Sequence, residues 1–307
     1  MKPERSWTAT NMKPERSRTA TNMKKASVSF QGEAGAFSQV AAQQLAGPDA
    51  VPVPLPTFQQ VFESVASGKC DCAVIPIENT LHGSVHENYD HLLRFDLLIQ
   101  GETFVRIVHN LIAPAGVRFA DIQRVYSHPV ALNQCRSFFE ANPAIEQVPF
   151  YDTAGSVKMV TEEKRTDAAA IASATAAGIY GAKILRKSIE DDRANFTRFF
   201  LLKKPASSSR RTAGPEPGAP GTKFKTSLVF TVRNVPGALF KCLSAFALRD
   251  LNMTKIESRP LRGKPWEYLF YLDFGGHVEE PAVKNALGHL TELADMLRLL
   301  GCYPAAR

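Results

Sequence analysis

No stretch of this 307-residue chain strings together the eighteen or more apolar residues that a membrane-spanning helix needs, and its first thirty residues lack the uninterrupted apolar centre of a secretory signal. Neither membrane insertion nor export is expected, and the chain reads as intracellular. Cysteine is scarce as well. Cys70, Cys72, Cys135, Cys242 and Cys302 are odd in number and include no C-x-x-C pair, which argues against a disulfide framework and a structural zinc site. The chain also has no P-loop and no Gly-rich dinucleotide fingerprint. No metal and no cofactor are expected; a reaction on a small polar substrate, or simple ligand capture, remains.

What is present in excess is positive charge, +7 overall, but its location matters more than its size. Residues 1–25 hold seven Lys or Arg against two Glu, and residues 203–225 hold six against one, so the rest of the chain carries −3. Basicity confined to low-complexity segments reads as solvated tails rather than a binding stripe, and no nucleic-acid partner is expected. The opening contains a direct repeat, MKPERSWTATN then MKPERSRTATN. So short and polar a unit cannot build a core. Residues 1–25 read as a disordered leader, either a remnant of an organelle-targeting peptide or a duplicated start.

From Val28 onward, short apolar strands alternate with helical stretches, the pattern of an α/β fold with substantial parallel sheet. A helix is predicted from Thr57, which has capping-box spacing to Gln60, with Phe58, Val61, Phe62 and Val65 on one apolar face and Gly68 as its stop. Asp71 to Ile77 reads as a buried strand delivering Glu78, Asn79 and Thr80 into a loop closed by Gly83. Further strands are predicted at Val125–Pro129 and Ala168–Ala172, and the apolar run from Leu97 to Ala113 as two strands crossing between lobes. Residues 204–223 are crowded with Pro, Gly and Ser and read as a linker. Beyond it the order strand, helix, strand, strand, helix, strand is the ferredoxin-like βαββαβ plan.

Polar groups gather where strands of the first unit give way to loops: Glu78-Asn79-Thr80, Ser127-His128, Asp152-Thr153 and Asn195-Phe196-Thr197-Arg198-Phe199. Loops at the carboxyl ends of parallel strands are where open α/β sheets bind ligands. Each group also has a structural reading. Asp152-Thr153 can simply cap a helix, Asn79 can close a turn, and His128 before Pro129 can satisfy backbone groups.

Six ordered landmarks then bear a resemblance to the prephenate dehydratase family, including its arogenate dehydratases: QGEAGAFS (31–38), PIENTLHGSV (76–85), SHPVALNQC (127–135), DTAGSV (152–157), AAIAS (169–173) and NFTRF (195–199). The likeness spans roughly Val28 to Pro304. It implies a two-lobed, periplasmic-binding-protein-like α/β catalytic domain over residues 26–203, with the site in the cleft. It ties catalysis to Thr197, Arg198 and Phe199, with Glu78, Asn79 and Thr80 beside them, and substrate binding to Ser127, His128, Gln134 and Thr153. Thr80 stands where the family more often has serine, Ala34 interrupts a common Gly-Pro, and Val130 replaces a common glutamine.

Residues 224–307 resemble an ACT domain through NVPGALF (234–240) and ESRP (257–260). That likeness implies phenylalanine bound by Asn234, Gly237, Ala238, Leu239, Glu257, Ser258, Arg259 and Pro260 between two such domains, hence a homo-oligomer, dimer or tetramer. The implied activity is loss of water and CO2 from arogenate, with prephenate as a second substrate. The implied compartment is the plastid stroma if the source is a photosynthetic eukaryote, and otherwise the cytoplasm. The alternative is a non-catalytic small-molecule-binding protein with an amino-acid sensor.

Overall fold

The computed structural model describes residues 25–205, 222–261, 263–264 and 267–306. Of the expected leader only Lys25 is described, and the expected linker is described only at its ends; the rest of both lies outside the described residues. Among the described residues no helix is long and apolar enough to cross a membrane.

The first lobe comprises β1 (Ser27–Gln31), α1 (Phe37–Ala46), β2 (Val51–Leu55), α2 (Phe58–Ala66), β3 (Cys72–Asn79), β4 (Gly83–Ser84), α3 (His86–Arg94) and β5 (Leu98–Arg106). The second follows with β6 (Asn110–Ala113), β7 (Arg124–Ser127), α4 (Pro129–Asn133), α5 (Arg136–Glu140), β8 (Glu146–Pro149), α6 (Thr153–Glu162), β9 (Ala168–Ala172), α7 (Ala174–Ile179) and β10 (Lys183–Arg186). The chain then returns as β11 (Phe196–Lys203) to the first lobe. Sheet order is β2-β1-β3-β11-β5 in one lobe and β10-β6-β9-β7-β8 in the other. The expected parallel pairs are β1–β2, β1–β3, β7–β8 and β7–β9. They are balanced by antiparallel ones, because β11 enters its sheet against the direction of both β3 and β5.

Local chemistry explains the elements that frame the cleft. Thr57 Oγ1 accepts from the Gln60 amide at 3.2 Å and starts α2, whose Val61, Phe62 and Val65 are buried. Asp152 caps α6 by accepting from the Gly155 amide at 2.7 Å. β9 is five consecutive buried residues, four of them alanine, because helix and sheet close on it from both faces. Gly35, at φ +91, lies so close to Ala176 of the second lobe that a Cβ there would stand 2.6 Å from its Cα. Only glycine permits that approach.

The last unit runs β12 (Phe224–Thr231), α8 (Ala238–Ala247), β13 (Met253–Pro260), β14 (Tyr268–Gly275), α9 (Pro281–Leu293) and β15 (Met296–Pro304), in antiparallel order β13-β14-β12-β15. This is the ferredoxin-like arrangement. Strand alternation divides its side chains between two cores. Leu228, Phe230, Leu272 and Phe274 pack against α8 and α9, while Val229, Leu269, Tyr271, Leu300 and Tyr303 pack against Ile75, Ile77, Ile99 and Phe200 of the first lobe. The ferredoxin-like sheet is thereby docked face to face on the back of the first-lobe sheet. At the join Gly301 lies against the Ile99 carbonyl, and a Cβ there would also stand 2.8 Å from the Ile99 Cβ. Gly301→Ala is expected to destabilise the protein by about 2 kcal/mol through overpacking, read as a lower midpoint in urea unfolding. An unchanged midpoint would mean that the two sheets are not docked this way.

Candidate active site

Two segments cross between the lobes, residues 107–109 and residues 187–195. They are tied to each other: the Ile107 amide donates to the Asn195 carbonyl at 2.8 Å, the Ile189 amide to the His109 carbonyl at 2.9 Å, and Arg106 pairs with buried Glu190 at 2.9 Å. Beside this joint lies an inner chamber of about 290 Å³. It opens into an outer cavity of about 610 Å³, with which it shares Pro76, Val85, His128, Val130 and Thr153. Apart from histidines, no side chain lining the inner chamber is ionisable. Charge enters only in the outer cavity, with Glu87 and Asp152.

Thr197 lines the inner chamber and is 8% exposed. Asn79 Nδ2 donates to its Oγ1 at 3.0 Å, and also to Asn195 Oδ1 at 2.8 Å and the Phe196 carbonyl at 3.1 Å. Asn79 Oδ1 is itself held by the Leu81 and His82 amides at 2.9 and 3.0 Å. A hydroxyl that accepts on one side keeps its hydrogen for donation on the other. Thr197 is therefore presented to the chamber as a donor. The strand predicted to end at Ile77 continues through Asn79, because β11 pairs with it up to Thr197–Asn79. Asn79 is thus fixed by a sheet ladder rather than by a loop.

Strand alternation separates the remaining expected residues. Phe199 shares the Thr197 face and walls the chamber. Arg198, which the resemblance groups with Thr197 and Phe199, points the opposite way, into a structural ion-pair network. Its guanidinium, in a residue 5% exposed, donates to Glu102 Oε2 through Nε at 2.8 Å, to Asp273 Oδ2 at 2.6 Å and to the Tyr303 hydroxyl at 3.2 Å. Burial opposes its charge, but Asp273, Tyr303 and Glu102 outweigh it and raise its pKa. Glu78 is likewise turned from the chamber and pairs with Lys255 of β13 at 2.9 Å.

Other expectations divide similarly. Gln134, His128 and Thr153 line the cleft. His128 also caps α4, accepting from the Val130 amide at 3.2 Å, and burial lowers its pKa. Ser127 does not reach the cleft: it is fully buried and donates to the Ile171 carbonyl at 2.7 Å, stitching β7 to β9. Thr80 binds the Ala194 carbonyl at 2.8 Å and the Phe196 amide at 3.0 Å, so it shapes the approach to Thr197 without lining the chamber. The motif reading passed over two lining residues, His82 and His109. His82 stands inside a quoted landmark, and His109 is one of several polar residues, with Arg106 and Asn110 beside it, in the run read as two strands.

In the sensor unit, Gly237 has φ +76 and opens α8, leading into Ala238 and Leu239, with Asn234 exposed before it. The ESRP segment is split by the alternation of β13. Ser258 and Pro260 are exposed, whereas Glu257 accepts from Ser84 at 2.8 Å and Arg259 pairs with Asp90 at 3.4 Å, both in the first lobe. Glu257 and Arg259 thus make docking contacts to the first lobe.

The sequence pattern of prephenate dehydratase matches residues 28–207, and that of the ACT domain matches residues 226–289. The chain is 45% identical, over 91% of its length and 73% of the relative's, to the Arabidopsis thaliana protein named arogenate dehydratase/prephenate dehydratase 2, chloroplastic. Among solved structures it is similar to prephenate dehydratase from Arthrobacter aurescens in complex with L-Phe, with TM-score 0.80, 33% identity, and 92% of this chain and 90% of that one covered. It is also similar to GqqA, described as a novel type of quorum quenching acylase, with TM-score 0.82, 37% identity, and 91% and 98% covered.

Asp273→Asn, which leaves Arg198 short of one buried counter-charge, should cost about 3 kcal/mol in denaturant unfolding. The double variant Arg198→Met, Asp273→Leu should recover part of that loss, because Glu102 retains Lys225 at 2.7 Å. A loss below about 1 kcal/mol in the single variant would place Arg198 outside a buried network.

Proposed function

The chain belongs to the prephenate dehydratase family, and from that premise we propose that its cleft expels water and CO2 together from arogenate or prephenate, with Thr197 holding the departing hydroxyl. The product is phenylalanine from arogenate and phenylpyruvate from prephenate. The observation that carries this reading is the Asn79–Thr197 hydrogen bond at 3.0 Å, which occupies the acceptor side of the hydroxyl and leaves its hydrogen for an oxygen in the chamber.

Formation of an aromatic ring supplies the driving force, so the site has chiefly to position and polarise. The ring carboxylate must shed its charge as CO2. A guanidinium in contact with it would stabilise the ground state and slow that loss, whereas a chamber lined mostly by apolar, amide and hydroxyl side chains does the reverse. The turning of Arg198 away from the chamber supports the reading for this reason. A threonine hydroxyl is too weak an acid to act alone, and it works here as the oriented end of a hydrogen-bond network.

The ACT domain makes the enzyme responsive to phenylalanine. Val235, Phe240 and Leu248 are 56%, 75% and 77% exposed around α8. An apolar surface of that kind favours association, and the protein is a homo-oligomer through its sensor domains. The chloroplastic designation of the Arabidopsis relative supports a plastid location. An acylase reading is less favoured. Among the described residues, neither Thr197 nor Thr153 has a hydrogen bond to a histidine that would activate it as a nucleophile.

Thr197→Val should lower turnover on both substrates by about a hundredfold or more while circular dichroism stays native; near-normal turnover would overturn the role of the hydroxyl. Titration calorimetry of the full chain with phenylalanine should give a saturable binding heat below millimolar concentration. A flat titration would remove the sensor from the account.

A further inference from the structure

The inner chamber holds a buried imidazole that the foregoing chemistry has not used. His109 is 2% exposed, lies at the crossing into β6, and lines the same chamber as Thr197. Its backbone is gripped by the return crossing, with the amide donating to Glu190 Oε2 and the carbonyl accepting from the Ile189 amide, each at 2.9 Å. The Phe37 ring meets it edge-on with centroids 5.9 Å apart. Nε2 stands 2.7 Å from Gln134 Oε1, and Nδ1 has no hydrogen-bond partner among the described residues.

These two facts select the tautomer. Burial lowers the pKa of this imidazole and keeps it neutral, against a smaller opposing pull from Gln134 and Glu190. One ring nitrogen therefore carries the hydrogen. On Nδ1 it would be a buried N–H with no acceptor. On Nε2 it meets Gln134 Oε1 and leaves only an unpaired lone pair, the smaller defect. With Oε1 engaged, the Gln134 amide nitrogen faces the other way, 3.2 Å from His82 Nδ1. His82 Nδ1 is the acceptor in that contact, and the run of hydrogen bonds from His109 ends there.

We propose that His109 is a positioning residue for the dehydration: as an Nε2–H donor it sets the Gln134 amide with its NH2 toward His82 and the chamber, on the wall opposite Thr197. The inference deepens the dehydratase reading and rests on it. Without this donor the Gln134 amide can turn by half a rotation and present an oxygen lone pair where the substrate's carboxylate and hydroxyl oxygens need N–H groups.

The test compares His109→Leu, His109→Gln, Gln134→Ala and the double variant His109→Leu, Gln134→Ala in the full chain. A glutamine side chain returns an amide nitrogen to the place of Nε2, and leucine does not. In His109→Leu, kcat is expected to fall about thirtyfold with KM changed less than about threefold, and His109→Gln should recover about tenfold of that. The double variant should be no slower than Gln134→Ala alone, since both act through one amide. Multiplying losses, or a glutamine variant as slow as the leucine variant at equal Tm, would overturn the proposal. If His109→Leu does not fold, His109→Asn, with a donor only at the Nδ1 position, takes its place. Nitrogen-15 NMR of the unmodified protein gives a readout independent of turnover: His109 should be the Nε2–H tautomer at neutral pH, and an Nδ1–H signal would overturn the proposal. A protein inert toward arogenate and prephenate would instead sink the dehydratase reading and leave the tautomer result to stand by itself.

Discussion

The position of Thr197 depends on a buried charge that faces away from it. Arg198 lies between Thr197 and Phe199 on a strand buried on both faces, and its guanidinium needs a full set of acceptors once water is excluded. Glu102 and Asp273 supply them, and both carboxylates are further satisfied: Glu102 by Lys225 at 2.7 Å and the Ala306 amide at 3.1 Å, Asp273 by Ser227 at 2.6 Å. Two cations and two anions thus cancel. Four of these partners, Lys225 and Ser227 of β12, Asp273 of β14 and Ala306 after β15, belong to the last unit, so the ferredoxin-like sheet completes a network whose centre is one residue from Thr197. The net worth of such a network over an apolar core is small, but removing any member leaves a neighbour charged and unpaired. Its effect is to make the register of β11, and hence the place of Thr197, intolerant of small shifts.

The alternation that sends Arg198 backward also determines the chemistry in front. Charges are kept on the far face of the sheet, and the inner chamber receives amides, hydroxyls, imidazoles and apolar walls. This suits a reaction in which one group must lose a negative charge and another must leave with help from a hydrogen-bond donor. Lobe two contributes to the same chamber from the other side, through Gln134, Ala131 and Thr153. The site is assembled where the chain passes twice between lobes. Its geometry is consequently sensitive to the angle between them, although the crossings are pinned together by Arg106–Glu190 and the bonds around His109.

Much of this was legible in the sequence because the deciding signals were local or repeated. Hydrophobic runs, the Thr57 cap and the βαββαβ order depend on neighbouring residues alone, and the six landmarks located the cleft. What was not legible depended on pairing. The extension of β3 through Asn79 follows from its ladder with β11, more than a hundred positions away. Which of Thr197, Arg198 and Phe199 faces the cleft is a question of strand phase, which the motif alone does not give. Ser127 appears beside His128 in the sequence, yet its hydroxyl is spent on the Ile171 carbonyl. His109 lay in a mixed apolar and polar run read only as strand, and it stands in fact at the crossing just before β6.

Phase also bears on how a signal can pass from the sensor unit to the site. On β13 the inward positions Lys255, Glu257 and Arg259 bind Glu78, Ser84 and Asp90, all in the first lobe, while the intervening Ile256 and Ser258 face outward. Glu78 is the strand neighbour of Asn79, just as Arg198 is the neighbour of Thr197. Both cleft-facing residues of the donor pair therefore have a sensor contact immediately behind them, whereas Gln134 and His109 belong to the opposite wall. An effector alters an equilibrium only through contacts that differ between two states. A change in the tilt of the ferredoxin-like sheet would carry β3 and β11 with it and displace the Asn79–Thr197 pair relative to Gln134 on the opposite wall.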